Sequence, residues 1–314
     1  MKGISPEIFS FKDDAARVIL RDGVYYRAIL PAYQDAYEHL MRSGLYTELI
    51  ESKLLIPHQE VACDPSLKAY ALLRPEQIDF LSLPFEWSYS QWRKVLLAYL
   101  EINLIALRYG MILKDATPYN FYLKGGKAIL FDTSSFDFFR APDYWIAYRQ
   151  FCEELFGPFA LMHYEGMRWG RMMLANHQGL PLDFISQNLP FKSYFNFSCL
   201  LHLHLHAKAY LKQGAPKDPS KGFSTEKLNE VLLLLKGTVK KWNSYHQYAN
   251  YWSSYYEVDI ESEEYLLDKE ETVKAYLQSC PVQTVVDLGA NTGKFSELAC
   301  QYAERVVALE FDKK

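Results

Sequence analysis

The chain has 314 residues, of which 49% are hydrophobic and 23% charged, with a formal net charge of -4 at pH 7; this composition suits about two globular domains and excludes disorder. A slightly acidic chain whose aromatics are not interleaved with Lys/Arg clusters lacks the field of a nucleic-acid binder, so no nucleic-acid partner is expected. The five cysteines, Cys63, Cys152, Cys199, Cys280 and Cys300, form no C-x-x-C pair, which argues against a disulfide framework or a zinc ribbon, and no stretch has the apolar length of a leader or a membrane span. A reducing cytoplasm and no membrane are the expectation.

In chain order, "RVILRDGVYYRAIL" (Arg17 to Leu30) reads as two strands around Asp22-Gly23, the dipeptide that supplies the positive φ angles of a type I′ hairpin. Pro31 opens a helix on which Tyr33, Tyr37, Leu40 and Met41 keep helical spacing, and Ser43-Gly44 breaks it before a second helix. The stretch from Tyr89 to Tyr109 has the period of a long buried helix, and "PFEWSYSQW" before it reads as packing. "FYLKGGKAILF" turns at Gly125-Gly126, and helical, aromatic-rich sequence runs on to Lys241, interrupted by an exposed loop from Lys212 to Gly222. "LLHLHLHAKAY" reads as helix, which puts only His202 and His206 of its three histidines on one face, as core side chains in preference to metal ligands. An acidic, Tyr-rich connector (242–268) leads to the closing piece, in which Thr284–Leu288 is a strand, Gly289–Gly293 a tight turn, Phe295–Ala303 a helix and Arg305–Leu309 a second strand.

Two constellations carry chemistry. In the closing piece, glycines let the backbone approach a ligand, the turn offers N–H groups, and Glu310 stands about 20 residues after the first glycine, where an acid accepts ribose hydroxyls. Neither a P-loop nor a dinucleotide fingerprint fits, because three residues separate Gly289 from Gly293, Lys294 is followed by Phe295, and Asn291 stands where a second glycine is needed. In the middle of the chain, Asp115 and Asn120 are spaced as D-x-x-x-x-N, and Asp132 follows beyond a hairpin; phosphoryl transfer uses one carboxylate to orient a hydroxyl, and an amide and a second carboxylate to hold Mg²⁺.

"VVDLGANTGKFS" resembles the first motif of class I S-adenosylmethionine-dependent methyltransferases in its D-L-G-x-N-T-G variant. That resemblance implies S-adenosylmethionine as cofactor and a small-molecule or protein methyl acceptor of unstated identity. The cofactor-binding residues it implies are Asp287, Gly289, Ala290, Asn291, Gly293 and Glu310. The order Asp115, Asn120, Asp132 resembles the protein-kinase-like superfamily, and by that resemblance Asp115 is the base, Asn120 and Asp132 are Mg ligands, and ATP with Mg is a possible ligand pair. The pattern departs from the family in Leu113 and Lys114, in Thr133-Ser134 after Asp132, and in Arg27 with Glu38 as the only candidate for its lysine–glutamate pair. Phrases such as "LMRSGLYTELIESKLLIPHQEV" and "LKDATPYNFYL" resemble bacterial proteins described as class I methyltransferases, some under a nodulation label, in which a kinase-like region precedes the methyltransferase domain.

The fold expected is therefore an α+β, mostly helical kinase-like region (1–241), a connector (242–268), and the first βαβ unit (269–314) of an α/β Rossmann-like methyltransferase domain. The function expected is methyl transfer with a kinase-like accessory region, the alternatives being an ATP/Mg-dependent phosphotransferase or pseudokinase and a non-catalytic scaffold. A single βαβ unit buries little surface, so the chain is expected to be an incomplete copy of a longer protein, with an unroofed crevice, exposed apolar surface and weak cofactor binding.

Overall fold

In the computed structural model, residues 7–8, 13–212, 222–245 and 262–310 are described. The chain divides into two compact units, 1–246 and 247–314.

The first unit opens with an antiparallel sheet of order β1-β2-β3-β5-β4, built from Glu7–Ile8, Ala16–Arg21, Val24–Ile29, Ala71–Pro75 and His58–Val61 (β1, β2, β3, β5 and β4). The β2–β3 hairpin closes through Asp22 and Gly23 at φ 51° and 76°, both positive as a type I′ turn requires. Side chains alternate across the sheet: Ala28 and Leu72 join a small outer cluster, while Ala16, Ile29, Ala71 and Leu73 face the main core. Arg27 lies on that inner face with Ile29, and this puts a guanidinium on the side of the sheet where the rest of the unit packs. Strands β4 and β5 escaped the sequence reading because "HQEV" has no apolar alternation and becomes a strand by pairing with β5, which in turn pairs with β3.

Between β3 and β4 lie the 3₁₀ turn Pro31–Tyr33 and helices α1 (Gln34–Arg42) and α2 (Leu45–Glu51). Tyr33, Tyr37, Leu40, Leu45 and Leu49 are buried, and Gly44, at φ 96°, makes the break that an L side chain resists. Helix α3 (Tyr89–Arg108) is capped by Ser88, whose hydroxyl accepts from the Gln91 N–H while the Gln91 side chain accepts from the Ser88 N–H, a capping box. It runs through the core, burying Tyr89, Trp92, Val95, Leu96, Tyr99, Leu100 and Ile102. The aromatics of "PFEWSYSQW" pack as expected, with the Trp92 indole donating to the Pro84 carbonyl at 2.9 Å.

After α3, β6 (Met111–Leu113) pairs with β9 (Phe136–Phe138), and β7 (Phe121–Lys124) pairs with β8 (Lys127–Leu130) across Gly125-Gly126. A helical layer follows. Helix α4 (Tyr148–Gln150) passes through a π-helical turn, Phe151–Phe156, into α5 (Gly157–Glu165); Pro158 has no N–H for the Glu154 carbonyl, and the wider turn absorbs the missing bond. Then come α6 (Leu182–Asn188), α7 (Phe197–Cys199), a second π-helical turn at Leu200–Leu205, α8 (His206–Lys212) and α9 (Thr225–Lys241). The three histidines are held inside this layer: His202 Nδ1 meets Tyr148 Oη at 2.8 Å, and both His204 nitrogens meet serines, Ser186 and Ser193, at 2.8 Å. Most of the expected loop at 212–222, and the connector from 246 to 261, lie outside the described residues.

In the second unit, a helix (Glu263–Ser279) precedes β10 (Thr284–Leu288), a short helix (Lys294–Ala299) and β11 (Arg305–Leu309). The first of these helices starts upstream of residue 269, the boundary read from the sequence, because Ser262 caps it through the Tyr265 N–H. Strands β10 and β11 pair in parallel, Thr284 opposite Arg305 and Leu288 opposite Leu309. Val286 and Leu288 are 53% and 77% exposed, so the apolar faces of these strands are open within this unit. Among the described residues of the chain, no helix is long and apolar enough to cross a membrane.

Candidate functional site

The turn between β10 and the short helix is shaped by three positive φ angles, at Gly289 (78°), Asn291 (51°) and Gly293 (84°). Asn tolerates the left-handed region better than other non-glycine residues, which suits the central position. The Gly289 and Ala290 N–H groups both donate to the Leu309 carbonyl, at 2.8 and 3.1 Å, and so tie the turn to the end of β11. A Cβ added at Gly289 or Gly293 would meet nothing within 4 Å, so the turn has open space beside it. Asp287, next to last in β10, has its carboxylate accepting the Ser296 hydroxyl at 2.6 Å. Glu310, just past β11, accepts the Asn291 N–H. All six residues read from the sequence, Asp287, Gly289, Ala290, Asn291, Gly293 and Glu310, therefore lie around one turn. Missed by that reading were Ser296, which holds Asp287, and the Glu270–Lys294 ion pair at 3.2 Å; Lys269 also stands over the Phe295 ring, 5.0 Å from its centroid. A serine on the first turn of the helix after a D-L-G run was the available signal for the former.

The second constellation sits in the first unit, where β6, β7 and β9 converge. Buried Asn103 on α3 accepts the Leu113 N–H at 3.0 Å, and Ser135 accepts the Lys114 N–H through its carbonyl at 2.8 Å; together they fix the start of the loop that carries Asp115. Gln150 accepts the Ala116 N–H at 2.9 Å and donates to Glu154. Burial, then the charge of Asp132, pushes the Asp115 carboxyl above the ordinary aspartate range, with Lys114 opposing and Asp13 adding to the rise. Glu154 is raised mainly by burial, against hydrogen bonds from Thr117 and Gln150.

Asp132 is engaged differently from a metal ligand. Arg27 Nη1 stands 2.7 Å from its Oδ1, and the Ser134 N–H and hydroxyl donate to the same oxygen at 2.8 and 2.6 Å. Burial pushes this carboxyl up, but Arg27 and hydrogen bonds from Ser134 and Ser135 outweigh it and hold the pKa below its ordinary value. Asn120 spends an amide N–H on the Ser135 hydroxyl, at 3.3 Å. Glu38, the sequence's candidate partner for Arg27, is instead taken by Gln34, Tyr70 and Arg42; that expectation is corrected, because Arg27 points across to the segment after β8 and not toward α1. The residues do not fit Mg²⁺ at Asp132. Among the described residues, no group of three His, Cys, Asp or Glu side chains is placed to hold a metal ion. Beside this constellation opens a cleft of about 430 Å³ whose lining includes Asp13, Tyr33, Asp35, Lys114, Asp137 and Arg140. The serine that closes on Asp132 was readable as an Asx-type turn signal in "DTSS"; the Arg27 contact, which spans 107 residues at Ser134, was not.

No protein-family model matches the chain. It is 25% identical over 256 residues to the nodulation protein NoeA of Rhizobium meliloti (strain 1021), an alignment that covers 77% of this chain and 52% of that protein. The chain thus spans about half the length of this curated relative, whose name specifies no reaction.

Proposed function

We propose that the second unit is the cofactor-binding start of a class I S-adenosylmethionine-dependent methyltransferase, and that the first is a kinase-like accessory region. The observation that carries the first half is the turn itself: a parallel strand pair joined through positive-φ residues 289, 291 and 293, with the Glu310 carboxylate on the Asn291 N–H. The open space at the two glycines would admit a nucleoside, Asp287 would lie beside its amino-acid part, and Glu310 would exchange the Asn291 N–H for ribose hydroxyls. When bound, S-adenosylmethionine supplies the methyl group. The protein's contribution is to orient it.

The kinase-like reading of the first unit is supported by the sheet with a helix pair between its third and fourth strands, a basic residue on the third strand, and the Asp115–Asn120 loop followed by the β7–β8 hairpin and Asp132. Arg27 on Asp132 favours an accessory role over phosphoryl transfer.

Nuclear magnetic resonance titration tests the first half, since it registers weak binding. S-adenosylmethionine should move the amide signals of Gly289, Asn291 and Gly293, and Glu310→Ala should weaken the binding by about 1 kcal/mol or more, as for a lost hydrogen bond to a charged group. Amides that stay in place under excess ligand would sink the reading.

A further inference from the structure

On the kinase-like reading of the first unit, on which this inference rests, the Asp132 carboxylate stands where a metal-dependent phosphotransferase needs a cation-binding oxygen, and the chain fills that place itself. Oδ1 accepts from a guanidinium, a backbone N–H and a hydroxyl at once, which exhausts the lone pairs of one carboxylate oxygen. Mg²⁺ demands oxygen ligands at about 2.0–2.1 Å in near-octahedral array, so it reaches Oδ1 only if Arg27 leaves, and at Oδ2 of the same carboxylate it would stand beside the guanidinium charge. Its other hydrogen bonds run to the Ser134 hydroxyl at 3.1 Å and the Phe131 carbonyl at 3.4 Å, both neutral. Eviction would strand a largely buried cation without its counter-charge. Ser134 completes the substitution with its hydroxyl on Asp132.

We propose that Arg27 is a built-in counter-cation that takes the place of a divalent metal at Asp132 and closes this site to metal-dependent phosphoryl transfer. The same contact is a strut. Arg27 projects from the inner face of β3 and Asp132 from the segment between β8 and β9, so the pair ties the sheet to that segment. The inference rests on the geometry around Asp132 and is independent of the methyltransferase reading of the second unit.

Manganese, which can replace magnesium and is visible by electron paramagnetic resonance, is the probe. The 314-residue chain titrated with Mn²⁺, with and without ATP, should show no bound ion that Asp132→Asn removes, and its melting temperature should not respond to Mg²⁺ and ATP. Arg27→Ala should gain Mn²⁺ binding by about tenfold or more, and Asp132→Asn in the Arg27→Ala background should abolish the gain. Asp132-dependent Mn²⁺ binding by the unaltered chain overturns the proposal, as does a folded Arg27→Ala protein without any gain. If Arg27→Ala does not fold, comparison of the unaltered chain with Asp132→Asn alone decides: equal Mn²⁺ binding supports the proposal, and a loss in Asp132→Asn overturns it.

Discussion

At the scale of single residues, the Arg27 and Asp132 side chains are only 13% and 14% exposed, so neither can fall back on water when the other is removed. Truncating one partner of a buried pair costs about 3–5 kcal/mol, mostly as the penalty of the charge left behind. Asp132→Ala is therefore expected to destabilise the first unit by that order in urea unfolding, whereas Lys124→Ala, which breaks an exposed, solvent-screened pair with Glu76, should leave the urea midpoint nearly unchanged. Because the folded pKa of Asp132 lies below its ordinary value, its contribution is present above the unfolded value and is lost as pH falls through the folded one.

A histidine shows the opposite charge sign. His202 is 2% exposed, and burial, then repulsion from His206, lowers its pKa to about 4. As pH falls below about 6.5 the unfolded chain takes up a proton that the folded chain refuses, so stability drops between about pH 6.5 and 4, by on the order of 3 kcal/mol in all. His202→Gln is expected to flatten the slope of stability against pH across that window by about one proton, measured by denaturant unfolding at stepped pH.

At the scale of elements, the turn after β10 shows how backbone chemistry and function coincide. Gly293 adopts φ 84° with nothing near its missing Cβ, so Gly293→Ala meets no clash and its whole cost is conformational, about 1 kcal/mol. Asn291→Gly should be close to neutral for folding. Thermal unfolding of the second unit checks both, and equal losses in the two variants would count against a left-handed turn. The π-helical turn at Phe151–Phe156 makes a similar point: an added Cβ on Gly157 would lie 2.5 Å from the Cys152 carbonyl, so the residue next to Pro158 must be small for the wide turn to exist.

At the scale of the whole molecule, the two units differ in how much they bury. The first has a continuous core from Ala15 to Trp242, while among residues 262–310 only Ala290, Ser296 and Ala299 are buried. Two calorimetric transitions are expected, the second unit melting first, and the β10 and β11 amides should exchange with solvent before those of β2 and β3. A single transition with uniform protection would contradict this. The exposed Val286 and Leu288 match strands whose sequence is apolar on both faces, as strands between two helix layers are.

What the sequence determined by itself was local. Asp22-Gly23, Gly44, the period of α3 and the run Asp287 to Gly293 each specify a turn, a break, a helix or a ligand-sized bend, because φ preference and apolar spacing act over a few residues. Helices and hairpins were accordingly legible, and so was every residue of the turn near Glu310. The tertiary structure decided what lies opposite what. Arg27 and Asp132 meet only because β3 turns its inner face toward the segment after β8, and no local preference encodes which of two acids, Glu38 or Asp132, a basic side chain will find. Strands β4 and β5 are likewise strands by pairing and not by pattern. The identity of the cation at Asp132 thus depends on a long-range contact, whereas the shape of the turn at Gly289 depends on neighbours in the chain.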